Sequence, residues 1–115
     1  MTTGPATDRP HCDALALHER DNVATALRAL APGERARVQR RGVAELSEVP
    51  VAEPVPLCHK LALGPLAPGD EVRKYGEVIG EMTGAVAQGG LVHVHNMVSR
   101  RARRAAAGGE RRHAG

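Results

Sequence analysis

Two closely spaced histidines, His93 and His95, are the residues of this chain most suited to do chemistry, and they lie in the segment Gly-Gly-Leu-Val-His-Val-His-Asn over residues 89–96. The glycines predict a turn, and the valines after them predict a short strand. Side chains two positions apart on a strand point to the same face, so we expect both imidazoles on one side and Val94 on the opposite, apolar side. Two adjacent neutral imidazoles could ligate a divalent metal ion, or bind and polarise an oxyacid. The alternative is a pair of exposed strand histidines without a function.

Composition and charge restrict the functions that the chain can have. Phe and Trp are absent and Tyr75 is the single aromatic residue, which argues against a stacking platform for single-stranded nucleic acid. The whole chain has a formal net charge of +3, but residues 99–115 hold six arginines against one glutamate, so residues 1–98 carry a net charge of −2. We expect a disordered N-terminal tail over residues 1–12, one domain over residues 13–98, and a disordered, Arg-rich C-terminal tail over residues 99–115.

Cysteine content and hydropathy point to a cellular compartment. Cys12 and Cys58 are too few for a disulfide framework, and the sequence contains neither a signal peptide nor an apolar span of about 18 residues. The sequence therefore predicts a cytoplasmic protein with reduced thiols that binds neither membrane nor nucleic acid. The core must be built from Val, Leu, Ala, Ile and Met, and such a thin core gains from burying a face against a partner.

The elements that must position these residues are predicted to be mostly strands. Residues 14–17 predict an opening strand, and Asp21 is placed as the N-cap of a two-turn helix over residues 22–30. Four apolar residues in this segment are spaced as on one face of a helix: Val23, Ala26, Leu27 and Leu30. Prolines and glycines then separate short Val- and Leu-rich segments, which predicts small strands and many turns. These segments lie at residues 36–38, 49–51, 61–63, 71–73, 78–79 and 91–94.

Three corners of the chain share one design. Residues 30–34, 66–70 and 86–90 each begin with an anchoring Leu or Val and reach a glycine three positions later, at Gly33, Gly69 and Gly89 respectively. Glycine supplies the backbone freedom of a turn, and a strand is predicted after each one. The three segments therefore predict recurrent corners of one compact, folded-over sheet.

Four motifs in order identify a family resemblance. They are Asp-Asn-Val at 21–23, Cys-His-Lys-Leu-Ala at 58–62, Arg-Lys-Tyr-Gly-Glu-Val-Ile-Gly at 73–80, and His-Val-His-Asn at 93–96. Over residues 15–98 the chain resembles the SAF domain of the altronate and galactarate dehydratase family, whose pattern is Asp-Asn-Val, Gly-His-Lys-hydrophobic-Ala, Lys-Tyr-Gly with Ile-Gly, and His-x-His-Asn. The chain departs from the family at Cys58, where the family usually has glycine, the residue that readily adopts positive φ. Residues 40–53 also match no family pattern.

The resemblance implies a mainly β fold, the β-clip, with one or two short helices. It also implies a lyase (hydro-lyase) that removes water from a hydroxy acid, with this chain as the small subunit of a two-chain, metal-dependent sugar-acid dehydratase of the altronate or galactarate type. Family enzymes carry most of their chemistry in a much larger catalytic domain, so the expected partner is a large catalytic subunit and the chain alone is expected to be inactive. The implied metal is Fe²⁺, with Mn²⁺ as the alternative, held mainly by the large subunit. The small subunit of sulfolactate sulfo-lyase is also similar, and there sulfite leaves instead of water.

Elimination from a sugar acid requires a base for the proton α to the carboxylate, an acid for the leaving group, and a positive centre for the developing charge. The resemblance implies that His59, His93 and His95 are the catalytic residues, as acid, base or metal ligands, with His93 and His95 as the metal candidates. The predicted substrate-binding residues are Asp21, Asn22, Lys60, Lys74, Tyr75 and Asn96. Among these, the two lysines would hold the carboxylate as point charges. Tyr75 either donates a hydrogen bond through its hydroxyl or packs as the one large core side chain.

Two hypotheses from other classes stand beside the lyase. A non-enzymatic SAF binding module is the first, as in antifreeze-type proteins, sialic acid synthases and pilus or flagellar chaperones, but those proteins lack the His-Lys and His-x-His-Asn segments. A metal chaperone is the second, because Cys58 and His59 together with His93 and His95 form a possible nitrogen and sulfur site.

Overall fold

A computed structural model describes residues 12–99, and within that range it contains nine short strands and no helix. The strands are β1 Ala14–Ala16, β2 Val23–Ala26, β3 Arg35–Arg40, β4 Ser47–Pro50, β5 Lys60–Ala62, β6 Glu71–Lys74, β7 Glu77–Met82, β8 Leu91–Val92 and β9 Met97–Ser99. The mainly β, SAF-like fold predicted from the sequence is confirmed. The predicted tails lie outside the described residues, apart from Cys12 and from Ser99, which ends β9.

The strands form two sheets. Six strands form the larger sheet in the order β4-β3-β1-β2-β5-β8, and β6-β7-β9 form the smaller one. Every pair of neighbours is antiparallel except β1 and β3, which run parallel. Strand β2 lies in the middle of the larger sheet, so both of its edges are paired, with β1 on one side and β5 on the other.

Small aliphatic side chains build the core, as the lack of Phe and Trp requires. One cluster packs against one face of the larger sheet and contains Ala14, Ala16, Ala24, Ala26, Leu30, Ala36, Val38, Val49, Val51, Val55 and Leu61. A second cluster lies between the other face and the smaller sheet and contains Val23, Ala62, Leu66, Val72, Met82, Val86, Val92 and Met97. Because neighbouring residues of β2 belong to different clusters, this strand joins the two halves of the core.

The three predicted corners are confirmed as one repeated turn, but the strands that follow them lie in two sheets and not in one folded-over sheet. Gly33, Gly69 and Gly89 have φ values of 94°, 92° and 83°, which is the left-handed conformation that the third residue of a type II turn requires. In each corner the N–H of the following residue donates to the carbonyl oxygen three positions earlier, at 2.9–3.3 Å. The anchoring residues before the turns are buried, and Leu66 and Val86 pair with each other across the core.

The predicted helix over residues 22–30 is wrong. Residues 23–26 form β2, whose register pairs Thr25 with Leu15 on one side and with Lys60 on the other. A central strand buried on both faces shows a continuous apolar run instead of a period of two, and such a run can match helical spacing. Asp21 is accordingly not a helix N-cap.

Candidate active site

The candidate site lies at one end of the larger sheet, where β2 ends, β5 begins and β8 ends side by side. Lys60 pairs with Val92 in the antiparallel β5–β8 ladder, so one step beyond it His59 stands opposite His93. The two imidazole ring centroids are 4.6 Å apart, with the ring planes inclined at 50°. The structure therefore brings together two of the three predicted catalytic histidines by strand register.

Strand β8 ends earlier than predicted, and this changes the geometry of the His-Val-His-Asn motif. Residues 93–96 form a turn in which the Asn96 N–H donates to the His93 carbonyl oxygen at 3.0 Å. The predicted strand arrangement, with His93 and His95 on one face and Val94 on the apolar face, is wrong: Val94 is 77% exposed and His95 is exposed. His95 still lies close enough for its charge to act on His93.

Asn96 is buried and holds this turn through its side chain. Its carboxamide oxygen accepts from the His93 N–H at 2.9 Å, and its NH₂ group donates to the Leu91 carbonyl oxygen at 2.9 Å. A side-chain acceptor for a backbone N–H competes with a sheet ladder, which explains why β8 stops at Val92. Asn96 therefore fixes the backbone at His93, and both the carbonyl oxygen and the NH₂ group of its side chain are used in these hydrogen bonds.

Lys60 adds a positive charge beside the histidine pair. It shares a sheet face with Thr25 and Val92, its register partners in β2 and β8, and that face looks toward the smaller sheet. Partial burial lowers the pKa of Lys60, and the positive charge of Lys74 lowers it further. The chain contains sixteen basic residues, and these two are its only lysines. The other fourteen are arginines, so both lysine ammonium groups of the chain lie in this region.

Lys74 is carried to the site by a tight hairpin between β6 and β7. The two connecting residues, Tyr75 and Gly76, have φ values of 58° and 75°, the left-handed pair that a type I′ turn demands. Lys74 Nζ lies 5.1 Å from the centroid of the Tyr75 ring, which is a cation–π contact. Tyr75 is 57% exposed, so its packing as a core side chain, one of the two alternatives above, is wrong, and its hydroxyl stays accessible.

Asp21 and Asn22 fix this hairpin to the larger sheet. The buried Asp21 carboxylate accepts from the Tyr75 N–H at 3.0 Å and from the Gly76 N–H at 2.8 Å. The Asn22 side chain accepts from the Arg73 N–H and donates to the Glu71 carbonyl oxygen, both at 2.8 Å. The Asp-Asn pair thus serves the backbone of β6 and its turn, and through them it sets the position of Lys74.

A hydrogen bond orients the His59 ring, and nearby charges act on His93. His59 Nδ1 lies 3.1 Å from the Leu57 carbonyl oxygen, which can only accept, so Nδ1 carries the proton and Nε2 of the neutral ring is left with a lone pair. The pKa of His93 is lowered by partial desolvation first, and then by the positive charges of His59, Lys60 and His95. A neutral His93 beside the two lysines can therefore accept a proton near neutral pH.

Cys58, which stands where the family usually has glycine, has a φ of 70°. Its N–H donates to the Ala26 carbonyl oxygen at 2.8 Å, and the Ala26 N–H donates to the His59 carbonyl oxygen at 2.9 Å. The chain before His59 is therefore held in a left-handed conformation against the end of β2. The position has the backbone requirement of a glycine even though a cysteine occupies it.

A complete metal site is not formed by this part of the chain. Within residues 12–99, no group of three or more His, Cys, Asp or Glu side chains is placed to hold a metal ion. His59 and His93 could provide two ligands at most, so the residues present do not fit a metal held by this chain alone. The metal chaperone hypothesis, which needs Cys58 as a ligand beside the histidines, finds no support in this geometry.

Sequence reasoning missed two residues that shape the site. Thr25 lies next to Lys60 on the same sheet face, but it fell inside the wrongly predicted helix. Glu53 accepts from the Leu91 N–H at 2.9 Å and so anchors the start of β8 from a proline-rich stretch with no recognisable pattern. Thr25 could have been found from a correct assignment of β2, whereas nothing in the sequence pointed to Glu53.

Comparison with known proteins agrees with the motif pattern. The family model for the altronate/galactarate dehydratase SAF domain matches residues 12–100, which include every described residue. The chain belongs to this family. The His-Lys, Lys-Tyr-Gly and His-x-His-Asn segments of the SAF family are thus the segments that meet at the β2–β5–β8 strand ends and the β6–β7 hairpin.

Curated relatives fall into two kinds of lyase. The chain is similar to the (2R)-sulfolactate sulfo-lyase subunit alpha of Paracoccus pantotrophus, with 49% identity over 47 residues that cover 41% of this chain and 70% of that protein. It is 41% identical to the same subunit of Chromohalobacter salexigens over 51 residues, 44% of this chain and 54% of that protein. It is 35% identical to the altronate dehydratase of Bacillus subtilis over 80 residues, 70% of this chain but 15% of that enzyme.

The described residues contain no helix long and apolar enough to cross a membrane.

Proposed function

We propose that this chain is the small subunit of a two-chain lyase that eliminates water from a hydroxy acid of the altronate or galactarate type. The observation that carries the proposal is the meeting of His59 and His93, 4.6 Å apart, beside the only two lysines of the chain. Membership of the dehydratase SAF family and similarity to sulfo-lyase alpha subunits support the same class of reaction. The proposal also includes a cytoplasmic location.

The cationic cluster is suited to an acid substrate on electrostatic grounds. We define the cationic cluster as His59, Lys60, Lys74, His93 and His95. Desolvation by burial lowers the pKa of Lys60 and the pKa of His93, and the like charges beside each group lower it further, because charges of one sign held side by side disfavour each other. A bound carboxylate would remove that repulsion, so binding of an anionic acid is favoured where binding of a neutral sugar is not.

The roles of the side chains follow from their positions. Lys60 and Lys74 bind the carboxylate, and this raises the acidity of the α proton by stabilising the enolate-like charge. His93 takes the α proton, and His95 supplies a proton to the leaving hydroxyl. His59, whose Nε2 has a lone pair in the neutral ring, is the second candidate base. Tyr75 offers a hydrogen bond through its accessible hydroxyl. Asp21, Asn22 and Asn96 position these groups, since their side chains are occupied by backbone N–H and C=O groups.

A large catalytic subunit is the proposed partner. His95 and Tyr75 are exposed, and His59, Lys60, Lys74 and His93 are partly exposed, so the site lies open on the surface of the described residues. Elimination is efficient where water is excluded, and a large subunit bound over this site would exclude it. The proposed metal, Fe²⁺ or Mn²⁺, would be held mainly by that subunit, where it would stabilise the enolate charge as a Lewis acid. The chemistry assigned to this chain is that of its own side chains.

A sulfo-lyase is the second candidate. Its support is the 49% identity to an alpha subunit of which the chain covers 70%, whereas the chain covers 15% of the altronate dehydratase. In this case the leaving group is sulfite, and the base and carboxylate-binding residues keep the same roles.

The test is reconstitution from two purified proteins. This chain and the large-subunit protein of the same genome are assayed separately and mixed, with ferrous or manganous ion, on altronate, galactarate and (2R)-sulfolactate. We expect the mixture to form a 2-keto-3-deoxy acid from one of the sugar acids, and neither protein to be active alone. Release of sulfite in place of the keto-deoxy product would establish the second candidate. Turnover by this chain alone would refute the two-chain arrangement.

A further inference from the structure

Large apolar side chains that stay exposed are concentrated near the cationic cluster. Among the described residues they are Leu27, Val43, Leu46, Leu57, Tyr75 and Val94. Val94 is the most exposed of them at 77%, Tyr75 is 57% exposed, and Leu57 is 54% exposed. Val43 and Leu46 lie apart, in the connection between β3 and β4. The other four each lie within two residues of a cluster member or beside one across the sheet.

Three of these residues lie just outside the strands at the same end of the larger sheet. Leu27 follows β2, Leu57 precedes β5, and Val94 follows β8, and these three strands are adjacent. Hydrogen bonds of 2.8–2.9 Å between Ala26 and the Cys58–His59 segment extend the β2–β5 contact past the end of the ladder. We call Leu27, Leu57 and Val94 the apolar rim.

Hydrogen bonds hold the backbone at two residues of the apolar rim, Val94 and Leu57. Val94 lies at the tip of the turn that Asn96 ties down with two side-chain hydrogen bonds. Leu57 is fixed through its carbonyl oxygen, which binds His59 Nδ1. Leu57 and Val94 are therefore exposed on an ordered part of the surface, and exposed apolar groups at the ends of adjacent strands beside a polar site are typical of a place where another molecule binds.

We propose that the apolar rim is the docking site for the large subunit of the lyase. This inference rests on the proposed function, and it adds where the partner binds and how. Any chain that covers His59 and His93 must also cover residues one or two positions away, so the rim and the active site are one continuous surface. The partner is expected to present apolar sockets for Leu57 and Val94.

A second copy of this chain is a poorer occupant than the large subunit. A two-fold contact through the rim would bring the cationic cluster of one copy against that of the other, and like charges across an interface oppose association. A large subunit with carboxylates around its apolar sockets meets the same surface with complementary charge.

The test compares two double substitutions by their effect on binding. Leu57→Ser with Val94→Ser changes the rim, and Val43→Ser with Leu46→Ser changes two exposed apolar residues away from it. The probe is the large-subunit protein of the same genome, titrated calorimetrically with each variant, and melting temperatures establish that both variants are folded. We expect the rim variant to weaken Kd by about 100-fold, the scale of losing two central apolar contacts. The control variant should stay within about 3-fold of wild type.

The outcomes separate the rim from the function. Equal effects of the two variants on Kd would overturn the docking site and leave the two-chain function in place. Rim-dependent self-association of this chain, without binding to the large subunit, would overturn the docking site in favour of a second copy. Absence of any complex with the wild-type chain would overturn the docking site and the two-chain function together. If the rim variant weakens Kd while His93→Ala is fully active at saturating partner, the docking site stands and the catalytic role fails.

Discussion

Replacing Cys58 with glycine is expected to stabilise the domain. Cys58 has a φ of 70°, and an L-residue in this region brings Cβ against the following carbonyl oxygen at a cost of about 1–2 kcal/mol. The thiol is exposed, so its removal forfeits little buried surface. The backbone cannot relax out of this conformation, because the Cys58 N–H is bonded to the Ala26 carbonyl oxygen.

The size of the effect follows from two opposing contributions. Glycine removes the Cβ strain of about 1–2 kcal/mol, but it also gives the unfolded chain more freedom, which lowers stability by about 0.5–1 kcal/mol. At the middle of both ranges the net increase in the free energy of unfolding is about 0.75 kcal/mol. For a domain of this size each kcal/mol corresponds to about 4–8 °C, so Tm should rise by about 3–6 °C.

Urea denaturation and thermal melting followed by circular dichroism measure this difference. Cys58→Ser is the matched control, because it removes the thiol and keeps Cβ, and it should unfold within about 0.3 kcal/mol of wild type. A Cys58→Gly protein no more stable than Cys58→Ser would show that the backbone at this position is not strained, and the reasoning would fail.

Three further predictions concern single positions. Asp21→Ala should lower the free energy of unfolding by about 2–4 kcal/mol, because the buried carboxylate accepts hydrogen bonds from two backbone N–H groups. Asp70→Ala is the control: it loses one exposed hydrogen bond from the Ala67 N–H and should cost about 1 kcal/mol or less. Equal losses of the two variants in urea denaturation would contradict this prediction. Burial raises the pKa of Asp13, but bonds from the Arg37 N–H and from the Arg37 and Arg28 guanidinium groups outweigh this and leave the pKa below its ordinary value. Its contribution to stability is therefore present at neutral pH and lost as pH falls below the ordinary carboxyl pKa of 3.8 and through the lower pKa of the folded protein. Asp13→Asn should therefore flatten the acid limb of the stability curve, and an unchanged limb would be evidence against this contribution. Val94→Asp should change the free energy of unfolding by about 0.5 kcal/mol or less, since Val94 is exposed, and loss of folding would contradict its placement in the turn.

The strands and corners of this fold could be predicted from the sequence because turn chemistry is local. The turn formed by a glycine after Leu-Ala-Pro does not depend on contacts with distant residues, and the chain turns at Gly33 and Gly69 as predicted. Strand β2 could not be assigned in the same way. Val23 faces one apolar cluster while Ala24 and Ala26 face the other, so burial on both sides erased the alternation that identifies a strand.

The candidate site was predicted in its membership but not in its geometry. Motif order identified His59, Lys60 and His93, and strand register then brought the two histidines together. The turn after Val92 could not be predicted, because it depends on Asn96 accepting the His93 N–H in place of a sheet partner. The roles of Asp21 and Asn22 also depended on a hairpin about fifty residues away, which periodicity does not reveal.

The most direct test of the account is the activity of the reconstituted enzyme carrying His93→Ala, measured as kcat/KM at saturating large subunit. His93 lies in ring contact with His59 and near Lys60, and we expect kcat/KM to fall by about 100-fold or more, the scale for losing a general acid–base group. Arg35→Ala, an exposed position in β3, is the control and should keep wild-type activity, and both variants should melt within a few degrees of wild type. Full activity of the His93→Ala enzyme would contradict the claim that this chain contributes catalytic groups to the lyase.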